Sequence, residues 1–509
     1  MGPRTPYKLV LTVAIAALAA WKAACVTAGP DIDTDAYAHH MIARAILADP
    51  HDLAIHWVWL PLFHYLQVPI VALGGTMDDV RWANVALSAA LPALLFAYVL
   101  RTARPAGPDA AWTSNELVAL FAALFAASCP IAMQMGTTAQ PEPLFALLML
   151  GVAIAFQERR YAICSVMLGA ATLLRYEAWA SLLAIAALVV VEPLWAHFRR
   201  TAPEPDAKRA WAVLAAPVLL IGLWAVLRRP VDGRWFGFLG QTREFANGAT
   251  HERTALDGGV LHLLRDIVYY PVVVPVRVLG PVTLLVPFGI VRTVRQQGAR
   301  FVLVLAACLG FVSLSWVMRS SLGLDRHFVE VIPLYATFAA QGAAAIGDGV
   351  ARIAARIGRA EIARTAGRAA GVSAAAVALA GLVLELQVWM GDWRGSIVRG
   401  WPDRTAIGAY LRSIPGDPTI FCDDATIEIL SGLDRRRFDR HWVDDDHTWR
   451  LIADVAQTRG VAYVATWSRK LVDHEDAGDI VFRSKPAASD TPSELAVMRV
   501  SVERGHAGR

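Results

Sequence analysis

From Leu9 to Tyr37 the sequence reads LVLTVAIAALAAWKAACVTAGPDIDTDAY, an apolar run that ends abruptly at three alternating aspartates. The run is about 20 residues long, which is the length that a helix needs to cross the hydrocarbon core of a bilayer. Arg4 and Lys8 precede it, and positive charge near the first span orients that span with its start inside. The stretch therefore predicts an uncleaved membrane anchor that opens into an acidic loop on the outer side.

The rest of the chain is also rich in apolar runs. Of its 509 residues, 56% are hydrophobic and 18% are charged, whereas soluble proteins carry about a quarter of charged residues. The net charge of +4 does not favour a nucleic-acid partner. We predict a polytopic α-helical membrane protein with about 11 spans. The spans are predicted at residues 9–28, 83–100, 116–135, 142–157, 161–175, 178–194, 210–227, 267–291, 301–318, 328–346 and 371–391.

The segment 56–74 (HWVWLPLFHYLQVPIVALG) is apolar enough to span, but Pro61 and Pro69 make it a poor straight helix. If it stays on the outer side, every alternate loop becomes basic, as inner loops are. We therefore place it as a juxtamembrane or re-entrant element of a first outer loop, residues 29–82. The same topology puts the region after about residue 391 outside and makes residues 1–391 a transmembrane catalytic module.

The C-terminal region, residues 392–509, changes character. Its apolar runs shorten to strand length and alternate with helix-like stretches, which predicts a small α/β extracytoplasmic domain. The predicted strands are Thr419–Cys422, Val461–Thr466, Asp479–Phe482 and Leu495–Val500, and the predicted helices are Arg404–Ser413 and Trp449–Thr458.

The first loop offers two interpretations. Asp31, Asp33 and Asp35 precede an amphipathic helix predicted at Ala36–Ala48, and Asp35 could simply cap it. Alternatively, one carboxylate abstracts a proton from an acceptor while its neighbours orient it or bind a metal. Alternate residues of an extended segment point to one side, so two of the three aspartates could converge.

Histidines are concentrated in the same loop. His39, His40, His51, His56 and His64 lie there, among 13 in the chain. Each alone is typical of a polar surface or an interfacial anchor. Beside carboxylates they are also consistent with a divalent cation held by Asp33, Asp35 and His39, although no established ligand spacing appears. We predict no other cofactor.

Charged residues also occur at the ends of predicted spans. Glu142 between two prolines is either a solvated boundary acid or a second acid of a site. Arg175 and Glu177 lie between two apolar runs, where charges usually pair or line a cavity. Arg326 and His327 open the tenth span, as an interfacial anchor or as a phosphate contact.

The order of these features resembles the integral-membrane GT-C glycosyltransferases, in particular the protein O-mannosyltransferase and lipid A aminoarabinose transferase group. The resemblance covers roughly residues 9–345, and its motifs are individually short. They are Asp31–Tyr37, the helix Ala36–Ala48, Trp57–Gly74, Arg81-Trp-Ala-Asn84, Gln140-Pro-Glu-Pro-Leu-Phe145, Leu174-Arg175-Tyr176-Glu177 and Asp325-Arg326-His327-Phe328.

The resemblance implies transfer of a sugar from a polyprenyl-phosphate donor to an extracytoplasmic glycan, lipid or protein by a multi-pass protein of the inner membrane. It implies that a first-loop aspartate acts as general base. The chain departs from the aminoarabinose transferases at Trp59-Leu60-Pro61-Leu62, where those enzymes carry Lys-Pro-Pro-Leu. The predicted catalytic residues are Asp33, Asp35 and Glu142. The predicted substrate contacts are Asp31, Tyr37, His39, His40, Arg81, Arg175, Glu177, Arg326 and His327.

A transporter or flippase of a lipid-linked saccharide is the alternative from another class. Such proteins place acids and broken helices near the midplane and often contain a repeated half. The sequence shows no internal repeat, and its aspartates lie at a span boundary. A non-catalytic scaffold would leave the three aspartates unexplained.

Overall fold

The computed structural model describes residues 5–102, 115–198, 206–254, 259–422, 424–439, 460–467, 478–484 and 495–500. Most of these residues are helical, and a small sheet lies near the C-terminus, so the predicted fold class is confirmed. The α-helices are α1 (Thr5–Val26), α2 (Thr34–Ala48), α3 (Leu62–Ala72), α4 (Met77–Thr102), α5 (Asn115–Ala127), α6 (Pro130–Met135), α7 (Glu142–Gln157), α8 (Tyr161–Thr172), α9 (Glu177–Phe198), α10 (Ala207–Ala210), α11 (Ala215–Asp232), α12 (Gly237–Thr254), α13 (Gly259–Val268), α14 (Val274–Leu279), α15 (Val286–Gln297), α16 (Ala299–Val317), α17 (Ile332–Arg356), α18 (Ala360–Arg399), α19 (Pro402–Ser413) and α20 (Ala425–Ser431).

The predicted count of 11 spans is not confirmed. Among the described residues, eight helical segments are long and apolar enough to cross a membrane. The other three predicted spans, 116–135, 142–157 and 161–175, form shorter helices. The first of them breaks into α5 and α6 because Pro130 cannot donate the hydrogen bond that would continue α5. At 1.5 Å per residue, α7 and α8 reach only about 24 and 18 Å.

Prolines also interrupt the segment from α13 to α15. A π-helical turn, Tyr269–Val273, follows α13, and a 3-10 turn, Gly280–Leu285, follows α14. Segment 56–74 is broken in the same way. Its helix α3 has 11 residues with Pro69 inside, which is shorter than the ~20 needed to cross.

The chain forms two compact units. The helical unit comprises Met1–Ala28, His56–Phe63 and Asp79–Arg394. The loop–sheet unit comprises Gly29–Ile55, His64–Asp78 and Gly395–Arg509. The acidic first loop therefore groups with the C-terminal region, although hundreds of residues separate them in sequence.

Close backbone contact joins α15 and α17 in the helical unit. A Cβ atom built on Gly289 would lie 1.7 Å from the carbonyl oxygen of Phe338, and one on Gly342 would lie 1.9 Å from that of Leu285. Small residues allow such approach, which is a usual way for membrane helices to associate.

The sheet of the loop–sheet unit contains β1 (Ile420–Cys422), β2 (Phe438–Asp439), β3 (Tyr463–Trp467), β4 (Gly478–Arg483) and β5 (Leu495–Val500), in the order β2-β1-β3-β5-β4. β1 pairs in parallel with β2 and β3, whereas β5 pairs antiparallel with β3 and β4. The four predicted strands are confirmed. The two-residue β2 is too short to leave a sequence signal, and the predicted helix Trp449–Thr458 lies outside the described residues.

Alternation along the strands gives the sheet two apolar faces. On one face Ile420 and Val497 pack with Ile407 and Leu411 of α19, so the predicted helix Arg404–Ser413 is confirmed and covers this face. Val464 and its neighbours form the core of the other face.

Candidate active site

The first loop is held by a chain of side-chain-to-backbone hydrogen bonds. Oδ1 of Asp31 accepts from the backbone N–H of Asp33 at 3.0 Å, and Oδ1 of Asp33 accepts from that of Asp35 at 3.0 Å. Helix α2 starts at Thr34, so the N-cap is Asp33 and not Asp35 as expected. The helix begins two residues earlier than predicted because the Asp33 oxygen satisfies an N–H group that has no partner within the helix. Asp35 lies in the first turn, where the helix dipole favours a negative charge.

Two further groups fix the same loop through the carbonyl oxygen of Asp31. The Tyr37 hydroxyl and the Trp401 indole N–H both donate to it at 2.9 Å. The Arg404 guanidinium stacks on the Trp401 ring, 4.1 Å from its centroid, and its Nε donates to Asp424 at 2.7 Å. Sequence reasoning missed Trp401, since nothing local marks a tryptophan 370 residues away as a partner of the loop.

His39 and His40 lie on the buried side of α2. Nδ1 of His39 is 2.8 Å from Nε2 of His64, and Nδ1 of His40 is 3.2 Å from Oε1 of Gln67. These contacts join α2 to α3. Within the part of the chain that the structure describes, no group of three His, Cys, Asp or Glu side chains is arranged to hold a metal ion.

A second set of predicted residues meets in the helical unit around Arg175, in the connection between α8 and α9. The Arg175 Nη1 donates to Oε1 of Glu142, in the first turn of α7, at 2.6 Å. Its Nη2 and Nε donate to the two carboxylate oxygens of Glu177 at 2.8 and 3.3 Å. The guanidinium is thus shared by two buried carboxylates, in the two-pronged geometry that favours arginine over lysine.

A 3-10 segment, Asp325–Val331, completes this set. Nε of Arg326 lies 3.6 Å from Oε1 of Glu142, and Nδ1 of His327 lies 3.6 Å from Oε1 of Glu177. Glu330 of the same segment is fully buried and interacts electrostatically with Glu177 and Arg175. We define the charged cluster as Glu142, Arg175, Glu177, Arg326, His327 and Glu330. Glu330 was not predicted, because a glutamate in an apolar run is equally typical of a span end.

Arg81 contributes to the charged cluster indirectly, by holding the backbone that leads into Glu142. Its side chain is fully buried and donates to the carbonyl oxygens of Thr137 and Val26 at 2.8 and 3.3 Å. Asn84, one helical turn later, donates to the carbonyl oxygens of residues 138 and 140 at 2.7 Å. Together the two side chains hold the turn that leads into Glu142.

Trp59-Leu60-Pro61-Leu62, where the aminoarabinose transferases carry Lys-Pro-Pro-Leu, belongs to the helical unit, and so does His56 just before it. His56 is fully buried edge-on against Trp224, with ring centroids 5.2 Å apart. Burial, and then the positive charge of Arg228, lower the pKa of His56 to about 3. The imidazole is therefore neutral at physiological pH. Arg228 itself is paired with Asp232 at 2.7 Å.

The order and packing of the helices match those of two solved proteins, ArnT and an archaeal oligosaccharyltransferase, so the fold that the sequence resemblance predicted is confirmed. ArnT from Cupriavidus metallidurans, crystallised with undecaprenyl phosphate, superposes with a TM-score of 0.58 at 15% identity, over 97% of this chain and 98% of that one. Its apo form gives 0.56 at 14% identity, over 98% and 99% of the two chains.

The apo oligosaccharyltransferase of Archaeoglobus fulgidus gives a TM-score of 0.55 at 11% identity, over 90% of this chain and 69% of that one. At these identities the likeness is one of fold. No protein-family profile matches the chain, and no curated protein sequence matches it either.

Proposed function

We propose that this protein is a glycosyltransferase that moves a sugar from a polyprenyl-phosphate donor to an acceptor on the outer face of the inner membrane. The observation that carries the proposal is the likeness in fold, along 97% of the chain, to ArnT bound to undecaprenyl phosphate. AglB of Archaeoglobus fulgidus, similar at a TM-score of 0.51 and 11% identity, over 90% of this chain and 69% of that one, was solved with an inhibitory peptide and a dolichol-phosphate. Both similar proteins therefore hold a lipid phosphate.

The proposed reaction is a displacement at the anomeric carbon of the donor. Asp35 takes the proton of the acceptor hydroxyl or amine, the acceptor forms the new glycosidic bond, and the lipid phosphate leaves with the electrons of the broken bond. We assign the base to Asp35; Asp33 is the N-cap of α2, and the paired substitutions below test this choice. A phosphate is already a good leaving group, so stabilisation of its charge matters more than protonation.

Arg326 and His327 are the proposed contacts of that phosphate. Arg175 is less suited, since its guanidinium already serves Glu142 and Glu177. Arg326 lies 3.6 Å from the same Glu142, and its guanidinium matches the geometry of a phosphate. The C-terminal domain, proposed to lie outside, would select the acceptor.

The test is an assay of the purified full-length protein in detergent with radiolabelled polyprenyl-phosphate mannose, glucose and arabinose in parallel. Asp35→Asn removes the base and is expected to abolish transfer. Asp33→Asn is the matched control, because asparagine caps a helix as well as aspartate does and should keep most of the activity. The opposite pattern would move the base to Asp33, and no transfer of any sugar by the unaltered protein would contradict the proposal.

One observation favours the alternative of a flippase. The segment from α13 to α15 is interrupted twice, as are helices at the substrate sites of many transporters. Reconstitution into liposomes separates the two functions: a flippase moves the fluorescent lipid-linked sugar between leaflets without releasing free lipid phosphate and is insensitive to Asp35→Asn.

A further inference from the structure

Glu330 stands out in the charged cluster because it is buried without a hydrogen-bond donor. Its side chain is 0% exposed, and within the described residues neither carboxylate oxygen accepts a hydrogen bond. Oε2 of Glu142 is also buried and accepts no hydrogen bond within the described residues. A buried acceptor that lacks a donor loses its hydrogen bonds to water without replacement, so native proteins rarely leave one unmatched.

The basic groups of the cluster lie beside its other two acids. Arg175 and Arg326 lie beside Glu142, and His327 lies beside Glu177. Arg175 directs Nη1, Nη2 and Nε at Glu142 and Glu177 and donates to neither oxygen of Glu330. Both oxygens of Glu330 and Oε2 of Glu142 therefore remain available to a donor that a bound ligand supplies.

The chemistry of those oxygens defines the ligand group. A carboxylate repels a phosphate but accepts hydrogen bonds from hydroxyl groups, and its two oxygens can receive a pair of neighbouring hydroxyls. The transferred sugar is the part of a lipid-phosphate donor that carries such hydroxyls. Glu330 lies in the 3-10 segment that packs against α7, the helix that begins at Glu142, so both open acceptors lie in the same part of the helical unit.

We propose that Glu330, with Oε2 of Glu142, accepts hydrogen bonds from hydroxyl groups of the transferred sugar and thereby sets which sugar the enzyme uses. This inference rests on the proposed function. Glu330 determines sugar specificity, whereas Asp35 is the proposed base and Arg326 and His327 are the proposed contacts of the phosphate.

The experiment combines the removal of single hydroxyl groups from the sugar with the removal of single carboxylate groups from the protein. The donors are the polyprenyl-phosphate sugar that the unaltered protein transfers best and its 2-, 3-, 4- and 6-deoxy analogues. The proteins are the unaltered chain, Glu330→Gln, Glu330→Leu and the control Glu192→Gln, which removes a carboxylate further along α9 that is paired with Arg300. Size-exclusion profiles and tryptophan fluorescence establish that each variant is folded.

The unaltered protein and the control should lose about 10- to 100-fold in kcat/KM with the one or two analogues that lack the contacted hydroxyls. Glu330→Leu should lose a similar factor with the parent sugar and nothing more with those analogues, while Glu330→Gln falls between. If Glu330→Leu discriminates against every deoxy analogue as the unaltered protein does, Glu330 does not contact the sugar and the inference is wrong.

Binding of citronellyl-phosphate mannose, glucose and arabinose, measured by calorimetry, separates this inference from the proposed function. Binding that weakens in Glu330→Leu only for sugars with the contacted hydroxyl supports the subsite even if the protein transfers nothing. Binding that is equal in both proteins contradicts the subsite and leaves the transferase proposal standing. No binding of any sugar to the unaltered protein contradicts both.

Discussion

The indole nitrogen of Trp401 donates a 2.9 Å hydrogen bond to the carbonyl oxygen of Asp31, across 370 residues of sequence. The same oxygen receives the Tyr37 hydroxyl, so the backbone that carries the three aspartates is held from inside its own loop and from the start of α19. The acidic loop is thus a positioned element, although its sequence alone resembles a solvated turn.

We predict that Trp401→Phe lowers kcat about fivefold with little change in KM. The phenyl ring keeps the stacking with Arg404 but cannot donate, and a lost hydrogen bond of about 1 kcal/mol loosens the proposed base. Hydrogen exchange of the peptide covering residues 29–37 should rise in parallel. Trp389→Phe is the control, since Trp389 donates to Gln134 at 2.7 Å and not to the loop. Equal effects of both substitutions would contradict a positioning role.

Removal of Arg175 should destabilise the helical unit. Arg175→Met leaves the carboxylates of Glu142 and Glu177 buried without their shared partner, which costs about 3–5 kcal/mol. Arg101→Met is the control, because Arg101 pairs with Glu158 while 54% exposed and should cost less than about 1 kcal/mol. Thermal unfolding in detergent measures both. A variant of Arg175 as stable as that of Arg101 would show that the charged cluster is open to water.

The contact between α15 and α17 should not tolerate a methyl group. Gly289→Ala places a Cβ 1.7 Å from the Phe338 carbonyl oxygen, so the helices must separate. We expect a loss of folded protein and a lower midpoint of thermal unfolding. Gly310→Ala, in α16 where a Cβ meets nothing within 4 Å, should be neutral or slightly stabilising. A neutral result for both would contradict the close approach.

The burial of His56 predicts a pH dependence of stability. Its pKa is lowered from 6.5 to about 3 by burial and Arg228, so the folded state resists protonation that the unfolded chain accepts. Its contribution is complete above the unfolded pKa and is lost as pH falls below about 6.5, by roughly 1.4 kcal/mol per unit. The thermal midpoint should therefore fall between pH 6.5 and 5, and less steeply in His56→Gln. Parallel pH profiles of the two proteins would contradict this assignment.

The sequence predicted those features that depend on local pattern. Apolar runs of strand length marked four strands, and hydrophobic periodicity marked α2 to within two residues of its start. The order of short motifs indicated the GT-C fold, because each motif belongs to a specific place in the chain. The N-cap was misplaced from Asp33 to Asp35, since alternate aspartates offer equivalent caps until the backbone selects one.

Features that depend on distant contacts were not predictable. Nothing in the apolar run around Glu330 shows that its carboxylate joins a cluster built from α7 and the start of α9. The break between α5 and α6 also escaped, because hydropathy measures how apolar a segment is and not where its helix breaks. Pro130 lies at that break, but prolines inside α4 and α9 do not break their helices.

The grouping of the first loop with the C-terminal region has a consequence for how the protein is made. A ribosome adds about 5–20 residues per second, so roughly 20–70 seconds separate the synthesis of Asp31 from that of Trp401. Throughout that time the acidic loop has left the ribosome without its second hydrogen-bond partner. A chain that stops before Trp401 keeps the Tyr37 hydrogen bond to Asp31 but lacks the indole donor.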